Sequence, residues 1–361
     1  MRFVMFYHSL VSDWNHGNAH FLRGIASELL ARGHTVEIYE PEGGWSYSNL
    51  VAEFGRLPID EFHCRFPHLR STSYDAATLD LDAVLDGADV AIVHEWNPPA
   101  FIRRIGDHRK RKKKYRLYFH DTHHRTVTDP ASMGLEHLKS YDGALVFGEA
   151  LREQYARHGW ARRVWVWHEA ADTRVFHPCD SRKSKTAGDV VWVGNWGDGE
   201  RAAELSEFLL DPVRELQLRA RVHGVRYPCE ALDHLRACGA TYGGWLPNFR
   251  VPELFAGFRL TVHIPRRPYR EQLAGVPTIR VFEALACGIP LICAPWDDRE
   301  GLFSPGKDYL IAGNGREMID RMRELLTNAP LRDELSAHGR KTIEARHTCR
   351  HRVDQLLEIV Q

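Results

Sequence analysis

With 361 residues, 43% hydrophobic and 27% charged, the chain has the composition of a soluble globular protein long enough for two domains with separate cores. Lys plus Arg and Asp plus Glu both total 48, so the basic excess of a general nucleic-acid binder is missing and no nucleic-acid partner is expected. The seven cysteines form no Cys-x-x-Cys pair and read as reduced, mostly buried thiols of a cytoplasmic protein, and no apolar run reaches the ~18 residues of a membrane span.

The start, Met1–Tyr7, is too short and too soon polar for a signal peptide and reads as a strand over residues 2–8. A loop, Ser12-Asp13-Trp14-Asn15-His16-Gly17-Asn18, leads to a helix from Ala19 to Ala31, closed by Gly33. Strands follow at Thr35–Glu40 and Val90–His94, the latter ending in Glu95-Trp96-Asn97. Further strands are Arg116–His120, ending in Asp121-Thr122-His123-His124, and Gly143–Phe147. Strands alternating with helical segments imply a parallel, doubly wound sheet, whose ligands bind at the carboxyl edge.

The second half repeats the scheme. Asp189–Val193 is a strand entering Gly194-Asn195-Trp196-Gly197-Asp198-Gly199, and a helix spans Glu200 to Leu210. Leu218–His223, Thr241–Gly243, Leu260–Ile264 and Leu291–Cys293 complete the strands. The break between halves falls near 172–188, where Cys179–Gly188 is polar and turn-rich.

Residues 275–293 are the most informative stretch. Pro277 and Thr278 mark a helix start, with Thr278 placed to cap the first turn. Val281, Phe282, Leu285 and Ala286 make one apolar stripe, Gly288 suits a left-handed helix end, and Leu291–Cys293 read as a strand buried on both faces. Arg280 and Glu283 are the polar exceptions, three apart on one face. A helix N-terminus with an arginine suits a phosphate, and a carboxylate one turn on suits a pair of sugar hydroxyls, which together describe a nucleotide-sugar site.

This segment, with its Arg-Val-Phe-Glu-Ala-Leu-Ala-Cys-Gly core at 280–288, resembles the donor-site helix of GT-B glycosyltransferases of the family-4 type and the CgeB-like group. Asp172-Thr173-Arg174-Val175-Phe176-His177-Pro178 likewise resembles the hinge of that fold. The resemblance implies two doubly wound Rossmann-like domains facing across a cleft: residues 1–175 for the acceptor, 176–345 for the nucleotide sugar, and a helix over 346–361 packing back on the first domain. It implies a hexosyltransferase that needs no metal or other cofactor beyond its nucleoside-diphosphate sugar, with UDP or dTDP favoured. Glu283 would bind the ribose hydroxyls. In family 4 a second glutamate, eight residues earlier, contacts the transferred sugar; here that position is Gly275, which leaves retention, the family-4 outcome, and inversion both open. A nucleotide-sugar epimerase or a non-catalytic nucleotide-sugar binder on the same fold is the alternative.

Departure of a diphosphate develops negative charge, which preorganised cations stabilise. Arg201, after the glycine-rich loop that begins at Gly194, and Arg266 and Arg267, after the strand 260–264, are placed for that task with Arg280 and Thr278. On the acceptor side, His16-Gly17-Asn18 resembles the family's glycine loop, against the plainer reading of Asn18 as a helix cap. Glu95, His120 and Asp121 end strands at the cleft edge, where an inverting transfer needs a general base. His120, Asp121, His123 and His124 could also suggest zinc, but no His-Glu-x-x-His motif or paired cysteine supports a metal. The basic run 109–114 reads as a solvated helix end that could touch an anionic membrane surface weakly. Trp14, Trp96, Trp196 and Trp245 stand in loops, where stacking on a sugar or base is open to them.

Overall fold

Short runs of Val, Ile, Phe and Leu recur between helical stretches, and buried on both faces they have one economical outcome, the parallel sheet. The computed structural model describes residues 1–112, 114–179 and 187–361. Lys113 of the basic run and residues 180–186 of the expected break lie outside the described residues. The chain divides into two units, one of Met1–Glu169 with Cys349–Gln361 and one of Ala170–Thr348.

The first unit holds a seven-stranded sheet: β1 (Arg2–Phe6), β2 (Thr35–Pro41), β3 (Ser71–Tyr74), β4 (Val90–His94), β5 (Arg116–Asp121), β6 (Gly143–Val146) and β7 (Val164–Val166), in the order β3-β2-β1-β4-β5-β6-β7. The second holds a six-stranded sheet: β8 (Gly188–Val193), β9 (Ala220–His223), β10 (Thr241–Tyr242), β11 (Phe258–His263), β12 (Leu291–Cys293) and β13 (Leu310–Ile311), in the order β10-β9-β8-β11-β12-β13. Pairing between these strands is parallel throughout. Each unit is a Rossmann-like α/β sheet. Strand order reverses between β1 and β4 in one and between β8 and β11 in the other, and the crevice beyond the carboxyl ends of such strands is where open α/β sheets bind ligands.

Register sets what arrives at that edge. His94 on β4 pairs with His120 on β5, so these rings share one face of the sheet; Glu95 and Asp121, one residue further, turn to the other. The last helix, Cys349–Ile359, packs on the helix Ala19–Ala31 of the same unit. The Arg32 guanidinium reaches Asp354 at 2.6 Å, and the Trp167 indole N–H donates to the Arg352 carbonyl at 2.8 Å.

Four expectations change. The helix over 200–210 is broken into a 3₁₀ turn, a short α-helix and a π-helical turn at Ser206–Leu210 before the helix Asp211–Leu216. Pro212 has no N–H for the residue four back, which loosens the preceding turn. Three strands join those expected: β3 and β7, at the sheet edges, and the two-residue β13. Ser-Thr-Ser-Tyr carries no apolar alternation and the other two are very short, so none of them announces itself. The thiols are not mostly buried: Cys287, Cys293 and Cys349 are, whereas Cys64 and Cys229, at helix ends, are exposed. The basic run is less free than a solvated end, since Arg109 pairs with Asp142, Lys110 with Asp107 and Lys112 with Asp82.

Candidate functional site

The carboxyl edge of the first unit's sheet gathers an aromatic and imidazole cluster. Tyr7, just past β1, stacks on His94 with ring centroids 4.8 Å apart, and its hydroxyl lies 2.7 Å from His120 Nδ1. His94 Nε2 is 3.0 Å from Thr122 Oγ1. His16 meets His8 edge-on at 4.9 Å. Burial takes His8 down to about 4 and His120 to about 3, and, as the largest cause, drives His16 and His94 well below the usual imidazole range. The cluster is therefore neutral at pH 7. His16 Nε2, His94 Nδ1 and His120 Nε2 are buried without a hydrogen-bond partner among the described residues, an unfinished state for polar atoms in a protein interior.

Glu95 and Asp121 form the carboxylate half. Asp121 is saturated: Oδ2 accepts from the Tyr155 hydroxyl at 2.9 Å and from Thr126, and Oδ1 from the His123 N–H at 3.3 Å. Glu95 Oε1 accepts from the N–H and hydroxyl of Thr122, whereas Oε2, 3.9 Å from Arg125 Nη1, has no hydrogen bond among the described residues. Burial raises Asp121 to about 6; burial first, and Asp121 second, push Glu95 well above the ordinary carboxylate range. A buried acid poised to hold or accept a proton near neutral pH suits proton transfer. Of the three predicted catalytic residues, then, His120 and Glu95 present atoms without a hydrogen bond among the described residues, and Asp121 acts on Glu95.

Asn18 opens the helix Ala19–Ala31 without a side-chain cap, which corrects the cap reading; its amide instead donates to Thr122 Oγ1 at 2.5 Å and so ties the His16-Gly17-Asn18 loop to the end of β5. Among the described residues no three His, Cys, Asp or Glu side chains converge as a metal site, although His120, Asp121, His123 and His124 are neighbours in sequence.

In the second unit the helix Ile279–Cys287 runs as its sequence requires. Val281, Phe282, Leu285 and Ala286 are buried, and Gly288, at φ +69°, closes it. Two details differ. Thr278 is the N-cap residue but makes no capping bond; its hydroxyl lies 3.1 Å from His263 Nε2, leaving the first-turn N–H groups without a side-chain cap. Arg280 and Glu283, instead of projecting separately, form an ion pair across one turn of the helix, with Glu283 wholly buried.

Arg201 lies at the reversal between β8 and β11. Its guanidinium donates to the carbonyls of Asn195 and of Ile264 (3.1 Å) and sits 5.0 Å from the centre of the Trp192 ring. The close packing needs Gly194, where a Cβ would come 2.6 Å from that indole. Burial, then the neighbouring Arg266, bring Arg201 down to about 9, with Arg280 adding in the same direction. Arg266 pairs with Glu200 at 2.7 Å, and Arg267 with Glu204 at 2.9 Å and the Gly199 carbonyl at 2.7 Å. Guanidiniums and helix N-termini with unbonded first-turn N–H groups are the groups with which proteins attract anions.

Gly275 explains the missing glutamate. Its φ is +95°, and a Cβ would press on Asp297 O and Arg299 Cβ at 3.2 Å, so any side chain there is strained. Sequence reasoning alone does not single out Tyr7, His94, Arg125, Tyr155 and His263. The signal available is positional: Tyr7, His94 and His263 each end or follow a strand.

The model of the family described as "Glycosyl transferase-like" matches residues 201–358. No curated protein gives a significant match. Among solved structures, sucrose-phosphate synthase of Thermosynechococcus elongatus aligns with a TM-score of 0.67 at 12% identity, covering 99% of this chain and 98% of its own. TarM of S. aureus, in complex with fondaparinux, α-GlcNAc-glycerol and UDP, gives 0.71 at 10%, covering 100% and 99%. An α-glucosyltransferase in complex with UDP and a 13-mer DNA containing an HMU base gives 0.67 at 13%, covering 100% and 99%. These structures share the fold of two Rossmann-like units.

Proposed function

We propose that this chain is a glycosyltransferase that moves a sugar from a nucleoside-diphosphate sugar to an acceptor hydroxyl. The observation that carries this reading is the grouping of Arg201, Arg266 and Arg280 at the strand-order reversal of the second unit, beside the uncapped helix N-terminus at Thr278. Arg201, depressed by burial first and then by Arg266 and Arg280 beside it, has a use for a dianion, and a departing diphosphate supplies it. The family model over 201–358 covers this same half, and structures sharing the fold hold UDP.

Within that reading, Glu283 holds the ribose hydroxyls, Arg280 and Arg201 face the diphosphate, and Arg266 and the backbone at Gly194 complete the donor side. The arginines supply the countercharge, so the chemistry runs without a resident metal. The donor is a UDP- or dTDP-sugar, and the kinship is with CgeB-like enzymes. In the first unit the Glu95 carboxylate takes the acceptor proton through Oε2, the His120 ring donates from Nε2, and Asp121 keeps the proton affinity of Glu95 high.

A thermal-shift panel of UDP-, dTDP-, GDP- and ADP-sugars, with released diphosphate read on each hit, tests it. A ligand that binds only the folded state raises the melting temperature by mass action. A shift with one nucleotide and slow diphosphate release is expected; no shift with any of them at millimolar concentration refutes the donor site. Conversion of the bound nucleotide sugar to its epimer without an acceptor would identify an epimerase instead.

A further inference from the structure

The carboxyl edge of the first unit's sheet has a charge character that selects among acceptors. The stretches that follow its strands (7–18, 42–44, 75–80, 95–98, 122–124, 147–148 and 167–169) contain no lysine or arginine. They do contain Asp13, Glu42, Asp75, Asp80, Glu95 and Glu169. Among the described residues four guanidiniums reach this edge from helices, and all are committed to protein oxygens; Arg104 donates to the Ala76 and Leu79 carbonyls and Arg352 to those of His168 and Glu169. Arg23 is buried and bound to Asp13 at 2.9 Å and to the carbonyls of Leu10 and Val11. Arg125 is held by the Glu95 and Ser132 carbonyls and the Ser132 hydroxyl. His8, His16, His94 and His120 cannot substitute for cations, because burial keeps them neutral.

At the same edge stand two exposed indoles, Trp45 at the start of the helix that follows β2 and Trp96. Trp96 is 40% exposed, directly after Glu95, with the Arg125 guanidinium 4.3 Å from its ring centre and His8 and His123 against it at 5.8 and 5.4 Å. These three neighbours hold it in place while part of its surface remains open. Close by, His16 Nε2, His94 Nδ1, His120 Nε2 and Glu95 Oε2 are buried polar atoms without a hydrogen-bond partner among the described residues, each able to pair with a hydroxyl.

We infer that the acceptor is an uncharged saccharide, stacked on Trp96 and hydrogen-bonded by these neutral imidazoles and the Glu95 carboxylate, and that phosphorylated, sulfated or polynucleotide acceptors are refused. The inference rests on the transferase reading above. A sugar ring offers an apolar C–H face to an indole and hydroxyls to neutral donors and acceptors, which is what the edge provides. A phosphate here would face carboxylates with no uncommitted cation among the described residues of this edge, and like charges brought together in a partly desolvated site select strongly against a wrong partner. In the transfer, the acceptor oxygen bonds the anomeric carbon as that carbon's bond to the diphosphate oxygen breaks. The diphosphate leaves with the bonding pair, and the hydroxyl proton passes to the Glu95 carboxylate.

The full chain, fluorescently labelled, is applied to an array of neutral oligosaccharides, the same sugars as phosphates and sulfates, and single- and double-stranded DNA; retained sugars are then tested for UDP release from the donor. Retention on neutral glycans, reduced at least ~10-fold by Trp96→Ala and largely restored by Trp96→Phe with the melting temperature unchanged, is the expected result. Retention on phosphorylated sugars or DNA, retention of no neutral glycan, or indifference to Trp96→Ala overturns the inference. A neutral glycan retained without consuming any nucleotide sugar upholds the acceptor assignment and counts against transfer, so the two readings fail separately.

Discussion

The Tyr7 hydroxyl and His120 Nδ1 lie 2.7 Å apart in the buried edge of the first sheet, one just past β1 and the other at the end of β5. Burial pushes the Tyr7 phenol far up, so it stays protonated, and by donating to Nδ1 it places the ring proton on Nε2, the nitrogen without a protein partner among the described residues. His120 thus presents a donor rather than a base. Tyr7→Phe keeps the stack on His94 and removes this control. The expected result is a stability loss of about 1–3 kcal/mol from the unsatisfied ring nitrogen, and a lower turnover with donor affinity unchanged. Steady-state kinetics and a denaturant melt check both.

The division of labour between the two carboxylates is separable by isosteric change. Glu95→Gln removes the unpaired oxygen proposed as the proton acceptor and is expected to cost about 10²–10⁴ in kcat, with nucleotide binding intact. Asp121→Asn keeps bulk but removes the charge that is the second cause of the raised Glu95 affinity. The acid limb of kcat/KM should therefore move to lower pH in Asp121→Asn, and be missing in Glu95→Gln. An unmoved limb in Asp121→Asn would separate the pair.

The neutral histidines make the first unit acid-sensitive in a definite window. Their pKa values are depressed on folding, so their contribution is complete above about 6.5 and is lost as pH falls toward about 4 for His8 and about 3 for His120. Each such group costs about 1.4 kcal/mol per pH unit across its window. Asp121, raised to about 6, acts with the opposite sign, its contribution being present at low pH and lost as pH rises from near 4 to about 6. With the four depressed histidines of this cluster against its two raised carboxylates, melting temperature should fall steadily below pH 6.5. Replacing buried His16 by Gln should flatten that fall, as followed by thermal melts over about pH 7 to 5.

Much of this is legible because its causes are local. The helix Ile279–Cys287 and its left-handed stop at Gly288 are written in a stripe, a breaker and a glycine within a short stretch, and the apolar runs Val90–Val93 of β4 and Leu291–Cys293 of β12 announce themselves. The pairing of Arg280 with Glu283 is implicit in their spacing of three. What one sequence cannot show is convergence. His16, His94 and His120 come from three segments far apart in the chain and meet only because β1, β4 and β5 are adjacent. Likewise Thr278 looks like a cap until β11 brings His263 beside its hydroxyl.

The donor side can be tested through the Arg280–Glu283 pair. Glu283 is wholly buried and its carboxylate is held by Arg280, so Glu283→Ala leaves a cavity and a guanidinium deprived of its anion, at a moderate cost in stability. If the carboxylate also holds ribose hydroxyls, UDP affinity falls by about 10- to 100-fold, roughly 1.4–3 kcal/mol, whereas inorganic pyrophosphate, which has no ribose, binds at least as well to the released arginine. Isothermal titration with UDP and with pyrophosphate distinguishes this from general damage, which would weaken both.

Gly275 sets the limit on how far this chain can be made to resemble family 4. The glutamate found there in that family cannot be installed by a single exchange, because φ at 275 is +95° and a Cβ would crowd Asp297 O and Arg299 Cβ. Gly275→Glu is expected to destabilise by about 1–3 kcal/mol, a fall of a few degrees in melting temperature, and Gly275→Ala by a similar amount, since strain begins at Cβ. Neither should improve turnover. If Gly275→Glu were instead stable and faster than the native chain, the backbone at 275 would have to relax, and a glutamate at that position could then reach the transferred sugar as it does in family 4. Equal destabilisation in the two variants locates the obstacle in the backbone rather than in the carboxylate.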